Sequence, residues 1–259
     1  MRAAGLVVGE TLELLRTTVR AGMTTLELDR VAEDHIRSSG ATPSFQGYHG
    51  FPGSICVSVN DEVVHGIPGA RVVDEGDVVS IDCGAIVDGW HGDAAVTVAV
   101  GMVPKETLEL IRVTEEAMWR GMAAASLGGR VTDISHAVES YVRSQGSYGI
   151  LEDYVGHGIG SAMHQPPNVP NYGRPGKGLK LVEGLALAVE PMVVAGDQAS
   201  RVLDDDWTVV TEDGSIAAHF EHTFTVTGQG TWILTALDGG EAKLAELGVP
   251  FGGSGAIRE

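Results

Sequence analysis

Five residues of this 259-residue chain carry the strongest chemical signal: Asp82, Asp93, His157, Glu190 and Glu221. Each lies in an apolar, strand-like or glycine-rich run, not in a charged surface stretch. Four carboxylates and one imidazole form a hard, oxygen-rich donor set. Such a set suits two divalent cations that share bridging carboxylates better than one tetrahedral zinc, and it reads as a two-metal hydrolase. Val78, Val79 and Ile81 precede Asp82 while Ala85 and Ile86 follow it, so its charge would be buried and costly without a cation. Glu190 meets the same difficulty at the end of Ala186-Leu187-Ala188-Val189.

The elements that must hold these residues are legible nearby. Asp88-Gly89 between two apolar runs signals a two-residue hairpin turn. That turn pairs Val87 with Trp90 and Gly84 with Asp93, making Asp93 a diagonal neighbour of Asp82 on the same face. Glu221 sits in a strand-like run over residues 217–226 in which His219, Glu221 and Thr223 share a face, so His219 is expected to look into the same site. A structural role for the flanking His219 and His222 nevertheless outweighs direct ligation. Gly156-His157-Gly158-Ile159-Gly160 lets the backbone approach a ligand closely around His157. His65 and His164, taken singly, read as hydrogen-bonded structural histidines.

The chain also repeats itself. Helical composition runs from Leu6 to Arg20 with Gly22 as a stop, and Thr24 with Glu27 has the form of a capping box opening a second helix that lasts until Gly40. A second helical pair runs from Pro104 to about Leu127 and from Val131 to Gly146. An offset of 106 aligns Gly22, Glu33, Arg37, Ser38 and Gly40 with Gly128, Glu139, Arg143, Ser144 and Gly146. An offset of 108 then places His49 on His157, Gly76 on Gly184 and Asp82 on Glu190. Apolar strands are expected at Val78–Val87 and Leu185–Val194, and two halves packed about a pseudo-twofold axis would bring Asp82 and Glu190 together. No low-complexity linker separates the halves, which argues for one domain.

Composition excludes several classes. Hydrophobic residues make up 43% of the chain, ample for a core. Seventeen Lys and Arg against 35 Asp and Glu give a formal charge of -18, which disfavours nucleic acid and anionic membrane as partners. Cys56 and Cys83 are the two cysteines, read as small core residues of a protein in a reducing compartment. Glu10 and Glu13 spoil a signal peptide, and no uncharged run approaches the ~20 residues of a spanning helix, so a cytoplasmic location is expected.

Asn60-Asp61-Glu62-Val63-Val64-His65-Gly66-Ile67-Pro68, Asp88-Gly89-Trp90-His91-Gly92-Asp93, Gly156-His157-Gly158-Ile159-Gly160, Val189-Glu190-Pro191-Met192 and Phe220-Glu221-His222-Thr223 together resemble the type I methionine aminopeptidases. The resemblance runs from Met1 to about Thr235 and rests on five ordered motifs. It implies the α/β (α+β) pita-bread fold, two pseudo-symmetric halves with a curved antiparallel sheet covered by helices. The catalytic domain would span 1–235, with halves of about 1–103 and 104–235. Residues 236–259 match no motif and read as a C-terminal tail, partly disordered.

The resemblance further implies that Asp82 binds one metal, His157 and Glu190 the other, and that Asp93 and Glu221 bridge both. The two divalent ions would be cobalt, manganese, iron or zinc. A metal-bridging hydroxide would cleave the first peptide bond of chains beginning with methionine, preferentially before a small second residue. Glu190 would shuttle the proton, His164 would stabilise the oxyanion and His65 would orient the leaving nitrogen. Phe45, Tyr48, Phe51, Cys56, Met163 and Trp207 would wall an apolar pocket for the thioether side chain.

Three positions depart from the family pattern: Phe45 where some relatives carry cysteine, Met163 where phenylalanine is common, and His219 where glutamine is often found. The partners implied are N-termini of nascent polypeptides, with transient ribosome association and a monomeric state. A proline-specific aminopeptidase P or prolidase is the competing enzyme reading, and a metal-free binding module the non-enzymatic one. The first is disfavoured because such enzymes usually carry a large extra N-terminal domain. The second predicts broken ligands, whereas all five are intact.

Overall fold

The structure, a computed structural model, describes residues 1–253. Its helices are α1 (Arg2–Thr18), α2 (Thr25–Ser38), α3 (Lys105–Ala124), α4 (Val131–Gln145) and the short α5 (Glu241–Glu246). The first starts four residues earlier than its composition announces. The Thr24 hydroxyl accepts from the Glu27 amide, and the Glu27 carboxylate accepts from the Thr24 amide, so the expected capping box opens α2. Pro104 lies just outside α3 as its N-cap, one position earlier than the first turn expected for it.

A nine-stranded antiparallel sheet forms the centre of the molecule. Ile55–Val59 pairs with Val78–Val87, which pairs with Trp90–Ala99; Glu221–Thr227, Ala186–Val189, Gly156–Gly158 and Gln165–Val169 continue the order. Apolar faces of α1 and α2, led by Val8, Leu12, Leu15, Leu28 and Ile36, pack on Ile81, Cys83 and Ala94 of the first half. In the second half, Leu110, Met118 and Met122 of α3 and Ile134 and Val138 of α4 pack on Leu187, Val189 and Phe224. Each such buried aliphatic side chain contributes on the order of 1.5–3 kcal/mol.

The internal repeat is physical. Gly22 and Gly128, both at φ 89, donate their amides to the Val73 and Leu181 carbonyls respectively. Thr25 and Val131 likewise donate to Arg71 and Leu179. Isolated bridges join Thr24 to Val72 and Arg130 to Lys180. The helical offset of 106 and the strand offset of 108 thus meet in the same hydrogen bonds in both halves.

Two continuous strands expected from sequence are broken. Leu185–Val194 divides into Ala186–Val189, in the large sheet, and Met192–Val194, which pairs with Gly149–Ile150 and Ala217–His219. Pro191 lacks the amide that a continuing ladder requires. The run over 217–226 divides at Phe220, whose amide turns to the Pro191 carbonyl at 3.4 Å. The stretch after 235 carries structure as far as 253: Leu244 of α5 is fully buried, and the Gly252 amide donates to the Thr231 carbonyl at 2.7 Å. The rest of the disorder expected there falls on residues 254–259, outside the described residues.

Candidate metal centre

Strand alternation places all five acidic and imidazole candidates on one face of the sheet. Asp82 and Glu221 both pair with Ala95, and Asp93 pairs with Gly84, as the Asp88-Gly89 turn requires. On the neighbouring strands Val189 pairs with His222 and Gly158 with Leu187, residues of the helix-facing side. Glu190 and His157, one step along from Val189 and Gly158, therefore project to the Glu221 side. His222 points the other way, its Nδ1 hydrogen-bonded to Thr235 Oγ1 at 2.8 Å and its ring 5.2 Å from Trp119.

The cluster is tight and largely buried. Asp93, His157 and Glu221 offer ligand atoms within 4.8 Å of one another, and Glu190, His219 and Glu221 form a second such group. His157 Nε2 lies 3.4 Å from Glu190 Oε1 and 4.0 Å from Asp93 Oδ2. Burial pushes the Asp82 carboxyl up to about 7. It drives Asp93, Glu190 and Glu221 well above the carboxylate range, and the neighbouring carboxylates reinforce the shift in each. Burial, with His164 nearby, lowers His157 to about 4, leaving a neutral imidazole.

Asp82 Oδ1, Asp93 Oδ1, Glu221 Oε1 and His219 Nε2 are buried without a hydrogen-bond partner. Clustered buried carboxylate oxygens with no donor are unfavourable by themselves and are what divalent cations satisfy. The donor set therefore fits metal.

A cavity of about 120 Å³ opens onto these carboxylates. Phe45, Tyr48, Phe51, Cys56, Met163 and Trp207 pack together as one apolar cluster along its wall, with Phe51 and Trp207 edge to face at 5.1 Å. His65 and His164 face the same space. His164 is the more open of the two, its ring 4.3 Å from His157 and its Nδ1 hydrogen-bonded to Tyr48 Oη at 2.8 Å. His65 stands at φ 61, a backbone strain held where Gly66 presses against the Val57 carbonyl too closely for any side chain. Burial and His164 lower the His65 imidazole to about 4.

Residues 1–228 match metallopeptidase family M24. The chain is 55% identical over 236 residues to the methionine aminopeptidase of Clostridium acetobutylicum, covering 91% of this chain and 94% of that protein. The chain belongs to metallopeptidase family M24, among the methionine aminopeptidases.

Other relatives of this M24 chain agree. It is 52% identical over 241 residues to methionine aminopeptidase 1 of Mycobacterium tuberculosis, covering 91% of each. A crystal structure of the Thermotoga maritima methionine aminopeptidase superposes with a TM-score of 0.89 at 43% identity, covering 91% of this chain and 95% of that one. A prolidase from Pyrococcus furiosus shares the fold at 20% identity and a TM-score of 0.71, this chain spanning 62% of its length. The curved sheet with its helical cover is thus the pita-bread architecture of methionine aminopeptidases. As an M24 metallopeptidase, the chain is a metal-dependent peptide hydrolase.

Two supporting contacts in the M24 site have little signal in the sequence. Thr223 Oγ1 accepts from the Asp93 amide at 3.1 Å and donates to the Asp93 carbonyl at 2.8 Å, joining the two halves at the metal cluster. Asn171 Nδ2 donates to the Glu190 carbonyl at 3.1 Å. Each partner is distant in sequence; only the face shared by Thr223 and Glu221 hinted at the first.

Proposed function

We propose that this chain hydrolyses the first peptide bond of polypeptides that begin with methionine, preferentially when the second residue is small. The observation that carries this reading is the placement of five ligand side chains on one sheet face beside a narrow apolar slot. Asp82 would hold one divalent cation, His157 and Glu190 the other, and Asp93 and Glu221 both. Two such cations supply an activated water and polarise the scissile carbonyl.

The protein's own groups complete the chemistry. Phe45, Tyr48, Phe51, Cys56, Met163 and Trp207 bind the unbranched thioether side chain and exclude water from it. Glu190, ionised as a carboxylate that holds a cation must be, would take the proton of the attacking water and deliver it to the leaving amine. As the C–N bond breaks, His65 orients that nitrogen. His164 donates to the developing oxyanion; with Nδ1 accepting from the Tyr48 hydroxyl 2.8 Å away, its proton would sit on Nε2 where the oxyanion needs it.

We assign residues 1–235 as the catalytic unit, with halves of about 1–103 and 104–235, acting as a monomer in the cytoplasm. No helix among the described residues is long and apolar enough to cross a membrane. A charge of -18 makes any encounter with the anionic ribosome transient.

Chelator-stripped protein, tested on Met-Ala-Ser, Met-Leu-Ser and Ala-Pro-Ala before and after adding manganese, cobalt or iron, tests the proposal. Metal-dependent release of methionine, faster from Met-Ala-Ser, is expected. Cleavage of Ala-Pro-Ala alone would move the chain to the aminopeptidase P reading, and no turnover with any metal would overturn the proposal.

A further inference from the structure

His219 occupies an unusual position. It ends the Ala217–His219 strand, opposite Met192 and two residues before Glu221. The side chain is 1% exposed, and its Nε2 has no hydrogen-bond partner. That atom lies 4.0 Å from Glu221 Oε2, and a nitrogen of the same ring lies within 4.8 Å of ligand atoms of both Glu190 and Glu221. A separation of 4.0 Å is too long for a hydrogen bond. It is the spacing of two donors bound about 2.0–2.2 Å from one cation at a wide angle.

The backbone that carries His219 is fixed from the other half of the molecule. Its amide donates to Thr97 Oγ1 at 2.9 Å, and its carbonyl accepts from the same hydroxyl at 2.7 Å. Ser80 Oγ, 2.9 Å from Thr97 Oγ1, donates into that hydroxyl and leaves the Thr97 proton for the carbonyl. Ser80 and Thr97 belong to the hairpin that bears Asp82 and Asp93. The His219 backbone is therefore held in register with both halves, and a buried ring nitrogen without a partner is what a metal ligand presents before its ion arrives.

We propose that His219 Nε2 is a sixth protein ligand of the centre, coordinating the cation held by Glu190 and Glu221. This rests on the metal-centre reading above and adds a second nitrogen donor to it. A neutral imidazole leaves the charge balance of four carboxylates and two divalent cations unchanged. It biases the centre toward cobalt, iron and zinc over manganese, because imidazole suits the former and oxygen the latter.

The test counts imidazoles. Proton NMR of the cobalt-loaded wild-type protein should show two exchangeable, paramagnetically shifted imidazole N–H signals, one from His157 and one from His219. His219→Gln should retain one signal, and calorimetric titration should show weaker cobalt binding at one site by about tenfold, with manganese binding changed less. One signal in the wild type, with cobalt bound at full stoichiometry, overturns the ligand role of His219 and leaves the metal centre standing. No cobalt binding at all, in protein that unfolds cooperatively, overturns both readings. Because the deciding count is made on the wild type, it does not depend on the variant folding.

Discussion

The two halves of the site hold their candidate ligands by different means. Asp82 and Asp93 ride on one uninterrupted hairpin, Val78–Val87 with Trp90–Ala99, whose register follows from a two-residue turn. His157, Glu190 and Glu221 come from three short segments, two of them ending where Pro191 and Phe220 divert the chain into a second sheet. A continuous ladder positions side chains through its own backbone bonds. Interrupted strands position them through whatever packs alongside, so the second half should be the more sensitive to its surroundings.

The largest expected effect bears on both halves equally. Asp93→Ala and Glu221→Ala should each lower kcat/KM for Met-Ala-Ser at least about a hundredfold, since even residues that merely support ligands contribute 10–100-fold. Comparable losses would make the centre one unit. Retention of activity in Glu221→Ala would confine the chemistry to the hairpin and break the comparison.

Glycines sharpen it next. A methyl on Gly158 would strike the Pro166 and Gln165 carbonyls, backbone that cannot yield, and Gly158→Ala should cost about 2–3 kcal/mol in chemical denaturation. A methyl on Gly84 would meet the Phe45 ring and the Ser44 side chain. Gly84→Ala should cost only about 1 kcal/mol yet raise KM by tilting Phe45 into the slot. Equal stability losses would show the hairpin to be as brittle as the second half.

Thr223→Val probes the joint between the halves. It leaves the Asp93 amide and carbonyl unpaired in a buried position and should cost about 1–3 kcal/mol, measured by thermal unfolding in chelator, with weaker cobalt binding in calorimetry. The smallest effect belongs to Tyr48→Phe. Removing one partly exposed hydrogen bond to His164 should lower kcat/KM about two- to tenfold with little change in KM. An equal rise in KM would mean that Tyr48 acts by filling the slot instead of holding His164.

Much of this arrangement was legible before folding because its signals are local. The Asp88-Gly89 turn fixed the pairing of Gly84 with Asp93, Thr24 and Glu27 marked a helix start, and the offsets of 106 and 108 disclosed the repeat. Phe45, Tyr48, Phe51, Cys56, Met163, Trp207 and His164 lie outside the five motifs and were expected at the site only through the family resemblance. The breaks at Pro191 and Phe220 were harder, since both runs keep strand composition throughout and only pairing with another sheet shows where they part.

By itself, then, the sequence determined the candidate ligand set, its alternation along strands, the twofold plan and the family resemblance. Each of these depends on residues within a few positions of one another or on a repeated pattern. Tertiary structure alone decided that Thr223 would clasp Asp93 across 130 residues, that Thr97 would pin His219 across 122, and that the His219 nitrogen would be left unpaired beside Glu221. A hydroxyl, an amide and an imidazole carry no mark of a distant partner. Their roles are set by the packing that buries them, because only the removal of water gives their hydrogen bonds and metal bonds their cost and their strength.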